Sequence, residues 1–119
     1  QVKATVADCL AESGKRASEL KIGCFGLAFK PNIDDLRESP AMEIAEMIAE
    51  WHKGETLVVE PNIHELPAKL AGHCTLTTLN DALATADVLV LLVDHKEFKA
   101  TSGDAVRQQY VVDTKGVWR

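Results

Sequence analysis

Two cations, Lys30 and Arg37, lie between a short apolar run and a helix-start signal. A guanidinium presents a planar pair of N–H donors and an ammonium a compact point charge, and both suit a phosphate. Ser39 followed by Pro40 predicts the first turn of a helix, whose free backbone N–H groups also favour an anion. The residue types are therefore compatible with an anion site on this loop.

The same loop permits a second interpretation. Its acidic residues, Asp34, Asp35 and Glu38, can pair with both cations on a solvated surface, and no ligand is then required. Gly23 and Gly26 do not form the G-x-G-x-x-G dinucleotide fingerprint, and the P-loop pattern G-x-x-x-x-G-K-[ST] is absent from the sequence. The residue types alone leave the ligand and the salt-bridge interpretations open.

Other polar residues follow predicted strands. His95 beside Asp94 is suited to general base chemistry, but adjacent side chains at a strand end point apart, which disfavours a catalytic dyad. Glu60 ends another strand, where an acid can bind ribose if the missing glycine fingerprint is present. Lys115 follows the last strand and suits either a phosphate contact or plain surface charge. No nucleophile–base–acid set or G-x-S-x-G elbow occurs, so no catalytic residue is predicted.

The histidines and cysteines do not indicate a metal site. Three scattered histidines are predicted to lie on the surface, namely His52, His64 and His73. The three cysteines lack metal-ligand spacing and fit reduced thiols of a cytoplasmic protein, with Cys24 a small buried residue of an apolar strand.

Composition narrows the class of protein. The chain has 119 residues, enough for one domain with a proper core, and a formal net charge of −5. Nucleic acids are bound through accumulated Lys and Arg, so the acidic balance argues against such a partner. No apolar run reaches the ~18 residues that predict a membrane span. No signal peptide opens the sequence, and Gln1, within a helical pattern, suggests a piece of a longer polypeptide.

Apolar periodicity predicts the elements that position these loops. Strands are expected at residues 20–25, 56–59, 75–77, 87–93 and 110–113. Helices are expected at residues 1–20, 40–54, 64–70, 79–84, 96–99 and 104–109, the fourth capped near Thr78 or Asn80. Alternating strands and helices predict an α/β fold, a Rossmann-like three-layer parallel sheet flanked by helices. Its ligands bind beyond the carboxyl ends of the strands.

Residues 26–40, GLAFKPNIDDLRESP, carry a longer and more specific pattern. They resemble the segment that opens the C-terminal, UDP-binding domain of the UDP-glucose/GDP-mannose dehydrogenase family. The resemblance continues through Glu60-Pro61, Ala86-Asp87, the stretch 94–98 and the ending 112–116. It covers nearly the whole chain and favours the ligand interpretation of the loop.

The resemblance implies an enzyme activity that also needs domains not present in this sequence. Enzymes of this family oxidise C6 of a nucleotide sugar to a carboxylate in two hydride transfers to NAD+. An N-terminal domain holds most of the NAD, and a central helical domain brings a catalytic cysteine. Neither segment is present here, and none of the three cysteines matches that nucleophile. This chain is therefore expected to be inactive alone, with the N-terminal and central domains of the same polypeptide as partners in a homodimeric enzyme. The alternative is a stand-alone nucleotide-binding module, and within the family the sugar of the substrate stays open.

The resemblance also assigns individual residues. Lys30 matches the lysine that contacts the UDP-sugar, and Phe29 belongs to the same substrate-binding pair. Arg37 matches the arginine that reaches toward NAD. Lys115 stands where relatives have a substrate-binding arginine, so the charge is kept and the bidentate fork is lost. Residues 1–19 would be the tail of the central helical linker region, and residues 20–119 the UDP-binding domain.

Overall fold

A computed structural model describes residues 2–28, 39–68, 70–101 and 110–113 of the chain. The five strands are β1 (Ile22–Phe25), β2 (Thr56–Val59), β3 (Thr75–Leu76), β4 (Val88–Leu91) and β5 (Tyr110–Asp113). The α-helices of the described residues are α1 (Val2–Ser13), α2 (Pro40–Trp51), α3 (Leu79–Thr85) and α4 (Lys96–Lys99). A 3-10 turn, Ala17–Glu19, joins α1 to the sheet.

The strands form one parallel sheet in the order β3-β2-β1-β4-β5. In the central strand, Cys24 is in register with Val58 on one side and with Val90 on the other. The chain builds outward from β1 through β2 to β3 and then returns to β4 on the other side of β1. The predicted parallel α/β sheet is confirmed, and its carboxyl edge beside β1 is the point where such folds bind ligands.

Helices cover both faces of the sheet, because the three inner strands are apolar on both sides. On one face, Cys24 and Val90 pack with residues of α1 and α2, such as Val6 and Ile48. On the other face, Phe25 and its neighbours pack against α3 and α4. All four residues of β1, β2 and β4 are buried, as the unbroken apolar run in β4 predicts. The three-layer arrangement is therefore confirmed.

Both predicted helix starts are confirmed. The Ser39 hydroxyl accepts a hydrogen bond from the Met42 N–H at 3.3 Å, and Pro40 is the first residue of α2. Thr78 caps α3 in the same way, through the Asp81 N–H at 3.1 Å. A side-chain acceptor at this position replaces one of the carbonyl partners that the first turn of a helix lacks.

One helix prediction is wrong, and another is right about the helix but not about its end. Residues 64–68 and 70 form turns and bends instead of a helix. Pro67 lies within that stretch, lacks an N–H, and disfavours helical dihedral angles at the residue before it. The first helix ends at Ser13 instead of near Leu20, with Gly14 directly after it. The helix predicted at residues 104–109 lies outside the described residues.

The predicted exposure of the histidines is correct for two of the three. His64 and His73 are exposed, but His52 is buried, so its prediction as a surface residue is wrong. Its Nε2 lies 2.7 Å from the Leu20 carbonyl oxygen, to which it donates a hydrogen bond. The imidazole thus links the end of α2 to Leu20, two residues before β1, at the amino edge of the sheet. As predicted, Cys24 is buried and its thiol is free.

Candidate functional site

The residues assigned to ligands by resemblance lie outside the part of the chain that the structure describes. These residues are Phe29, Lys30, Arg37 and Lys115, together with the acidic residues of the same loop, Asp34, Asp35 and Glu38. Their roles stay predictions. The residues on either side, up to Ala28 and from Ser39 onward, are described and show how both ends of the loop are held.

The Glu60 carboxylate binds the chain where it leaves β1. Its Oε1 accepts hydrogen bonds from the backbone N–H groups of Leu27, at 2.8 Å, and Ala28, at 3.1 Å. Its Oε2 accepts two more from Asn62, one from the backbone at 3.1 Å and one from the side-chain amide at 2.9 Å. The strand β1 ends at Phe25, so this side chain supplies acceptors that the sheet no longer provides.

His95 is the partner of Glu60 across the sheet. Its Nε2 donates to Glu60 Oε1 at 2.8 Å, and both side chains are 0% exposed. Asp94 instead lies near Lys99, with 3.7 Å between carboxylate and ammonium. The prediction that Asp94 and His95 point apart is confirmed. The ribose interpretation of Glu60 loses support, because both of its carboxylate oxygens accept hydrogen bonds from the protein.

The environment of Glu60 keeps it ionised. Burial alone raises the pKa of this carboxyl group, but hydrogen bonds from His95 and Leu27, the positive charge of His95 when protonated, and the Asn62 amide outweigh burial. The pKa of Glu60 is therefore lower than usual. Each oxygen accepts donors from fixed directions, so a proton on either would displace one of them.

Ser39 holds the same point from the other end of the loop. Its hydroxyl donates to the Leu27 carbonyl oxygen at 2.6 Å, and the residue is 2% exposed. Leu27 is thus held at its N–H by Glu60 and at its carbonyl by Ser39. We call these residues, Leu27, Ala28, Ser39, Glu60 and His95, the loop neck, because residues 29–38 begin and end there.

A cleft of about 550 Å³ opens beside the loop neck, at the carboxyl ends of β2 and β3. It is lined by Val59, Glu60, Pro61, Ile63, His64, Leu76, Thr77, Thr78, Leu79, Asp81 and Glu97. Its size is typical of small-molecule pockets. Within the described ranges, no group of three or more His, Cys, Asp or Glu side chains is arranged to hold a metal ion.

The Glu60–His95 contact is the feature of this site that the sequence did not predict. Glu60 directly follows one apolar run and His95 lies two residues after another, so both are predicted at the carboxyl edge of the sheet. Their contact depends on strand order, because β2 and β4 flank β1 and bring residues 35 positions apart over its end. Hydrophobic periodicity locates the strands in the sequence but does not give their order in the sheet, so it does not reveal that pairing.

Among the described helices, none combines the length and the apolar composition needed to cross a bilayer.

Comparisons with known proteins agree with the predicted family. Residues 23–119 match the sequence profile described as the UDP-glucose/GDP-mannose dehydrogenase family, UDP binding domain. Over all 119 residues the chain is 79% identical to the UDP-N-acetyl-D-mannosamine dehydrogenase of Escherichia coli K12, of which it spans 28%. It is 47% identical over 113 residues, 95% of the chain, to the NDP-N-acetyl-D-galactosaminuronic acid dehydrogenase of Ralstonia solanacearum, of which it spans 26%.

A comparison of folds finds dehydrogenases of the same kind. The solved structure of the UDP-N-acetyl-mannosamine dehydrogenase from Staphylococcus aureus matches with a TM-score of 0.69 and 27% identity, over 98% of this chain and 26% of that protein. The chain thus spans less than a third of the length of each of these dehydrogenases.

Proposed function

Because the chain belongs to the UDP-glucose/GDP-mannose dehydrogenase family, we propose that it is the UDP-sugar-binding C-terminal domain of an NAD-dependent UDP-N-acetyl-D-mannosamine 6-dehydrogenase. The observation that carries the proposal is the 79% identity to the E. coli enzyme across the whole chain. The complete enzyme would convert the C6 alcohol of the sugar to a carboxylate. It would act in the cytoplasm as a homodimer, in surface-polysaccharide synthesis such as that of enterobacterial common antigen.

The loop neck supports this role because it lies at the carboxyl edge of β1, β2 and β4. Lys30 is two residues beyond Ala28, and Arg37 is two residues before Ser39. In this proposal Lys30, with Phe29, contacts the UDP-sugar, and Arg37 reaches the NAD. Lys115 follows β5, whose carboxyl end lies at the same edge, and supplies a further charge to the substrate.

NAD would be held mainly by another domain. The described turn after β1 lacks the glycine fingerprint of dinucleotide-binding folds. Its backbone N–H groups, at Leu27 and Ala28, already donate to the Glu60 carboxylate. When bound, NAD+ accepts the hydrides released from C6. The contribution of this chain is to bind and orient the nucleotide part of the substrate, with Arg37 as its one proposed contact to the cofactor.

A hybrid enzyme tests the proposal. In the E. coli dehydrogenase, the 119 matching residues are replaced by this chain, and NADH formation is followed with UDP-N-acetyl-D-mannosamine and with UDP-glucose as comparison. We expect the hybrid to oxidise the amino sugar with a kcat/KM close to that of the parent, and this chain alone to form no NADH. A correctly folded hybrid that does not oxidise the amino sugar would contradict the proposal.

Lys30→Ala in the hybrid tests the assigned substrate contact. Loss of one charge-assisted hydrogen bond should weaken UDP-sugar binding by about 1.5–3 kcal/mol, which is roughly 10- to 150-fold in Kd. Lys53→Ala is the matched control, because Lys53 is an exposed lysine just beyond α2, at the opposite edge of the sheet. Equal affinities of the two variants for UDP would remove Lys30 from the site.

A further inference from the structure

We propose that Glu60 and His95 are positioning residues for UDP-sugar binding, which fix the backbone at Leu27 and Ala28 from which residues 29–38 extend. This inference rests on the proposed function. It concerns residues that do not touch the ligand themselves and act through the chain they hold.

The first observation is that the carboxylate substitutes for a strand. Gly26 still donates its N–H to the Val59 carbonyl oxygen at 2.8 Å, as the last sheet-like contact of this segment. The next two N–H groups, of Leu27 and Ala28, turn to Glu60 Oε1 instead. A single carboxylate oxygen therefore sets the direction in which the chain leaves the sheet, two residues before Lys30.

The second observation is that Glu60 and His95 lose their contact with water. Glu60 and His95 are both fully buried at their side chains. A buried pair of ionisable side chains is weak evidence for stability, because replacing such a pair by apolar residues of similar volume is often neutral or stabilising. The pair instead gives directional hydrogen bonds, which suits a role in geometry.

The third observation is that both ends of the loop meet at one residue. The Ser39 hydroxyl donates to the Leu27 carbonyl and also caps α2, so the helix start is tied to the exit of β1. With Glu60 on the N–H side of Leu27, the two ends of residues 29–38 are held to a common point. Misplacement of that point would shift the ligand contacts proposed for residues 29–38.

The polar and ionisable groups around Glu60 come from several elements. His95 precedes α4, and the Asn62 amide comes from the turn after β2. On the cleft side lie His64, Asp81 and Glu97. Replacement of Glu60 by Gln keeps the shape of the side chain and removes its charge. It also places an NH₂ donor where a carboxylate oxygen now accepts N–H groups, so donor would face donor.

Steady-state kinetics of the hybrid enzyme tests the inference. For Glu60→Gln we expect KM for the UDP-sugar and KM for NAD+ both to rise, with kcat/KM for the sugar lower by on the order of tenfold to a hundredfold. A merely structural role would reduce the amount of active enzyme, which lowers apparent kcat and leaves both KM values unchanged. His52→Ala is the control, since it removes a buried, hydrogen-bonded imidazole at the opposite edge of the sheet.

A pair of His95 variants keeps the inference testable if Glu60→Gln does not fold. His95→Gln retains an N–H donor toward Glu60, whereas His95→Met has similar size and no donor. We expect KM values near wild type for the first and raised values for the second. Unchanged KM values in His95→Met, or in a folded Glu60→Gln enzyme, would overturn the inference while the proposed function stands. An inactive wild-type hybrid would instead overturn the proposed function.

Discussion

Gly26 is the residue at which we expect a small substitution to lower the stability of the fold most clearly. It directly follows the central strand β1 and has a φ of +99°, a conformation that residues other than glycine rarely adopt. A Cβ at this position would lie 2.6 Å from Val93 Cβ and 3.0 Å from the Val93 backbone nitrogen. Val93 cannot yield easily, because it is 4% exposed and its own N–H is bonded to the Phe25 carbonyl oxygen.

The magnitude for Gly26→Ala follows from two terms. A left-handed backbone costs roughly 1–2 kcal/mol for an alanine, and overpacking against Val93 costs about 1–3 kcal/mol more. We therefore expect the free energy of unfolding to fall by about 2–5 kcal/mol, a large part of the 5–15 kcal/mol typical of a domain.

Gly72→Ala separates the two terms. Gly72 has a similar φ of +88°, but a Cβ there meets nothing within 4 Å. Only the backbone term of roughly 1–2 kcal/mol applies to that variant. Urea denaturation of the 119-residue chain, followed by circular dichroism, measures both. Equal losses in the two variants would refute the proposed clash with Val93.

Three further predictions concern the core, acid stability and thiol reactivity. Phe98→Ala should cost about 3–5 kcal/mol in a urea titration, because the buried ring packs edge-on against Phe25 at 5.5 Å between centroids; a loss as small as that of an exposed residue would contradict this packing. Since the pKa of Glu60 is lower in the folded protein than its ordinary value of 4.5, its carboxylate stabilises the fold above that pH and loses this contribution as the pH falls through the folded pKa. The stability lead of wild type over Glu60→Gln should therefore shrink on acidification, and a constant difference from pH 7 to pH 3 would speak against it. Burial raises the pKa of Cys24, and raises that of Cys74 to about 11, so a thiol reagent at pH 8 should modify Cys24 only after unfolding; rapid labelling of Cys24 in the folded chain would disagree with its position.

Most of the fold was predictable from local patterns. The apolar runs of β1, β2 and β4 are buried on both faces, and Ser39-Pro40 and Thr78 mark helix starts through their own chemistry. The helix predicted over 64–70 is wrong because Pro67 disfavours helical dihedral angles within that stretch. The burial of His52 was missed because its acceptor, the Leu20 carbonyl, comes from another element.

The candidate site was predictable in a different way. The cations of the loop were identified by residue type and by family resemblance, and the charge pattern by itself left their partners open. The Glu60–His95 pair required strand order, since two strand ends must flank β1 before these side chains meet. Long-range hydrogen bonds of this kind are set by topology and not by local sequence.

The measurement that tests the central claim most directly is a titration of the 15N-labelled chain with UDP, followed by amide NMR. We expect the Leu27 and Ala28 amides at the loop neck to shift, whereas the Leu20 and His52 amides at the opposite edge of the sheet stay unchanged. The same titration with inorganic phosphate separates recognition of the nucleotide from simple charge. Saturating UDP that leaves the loop neck unchanged, or that shifts only the amino edge, would contradict a UDP-binding role for this chain.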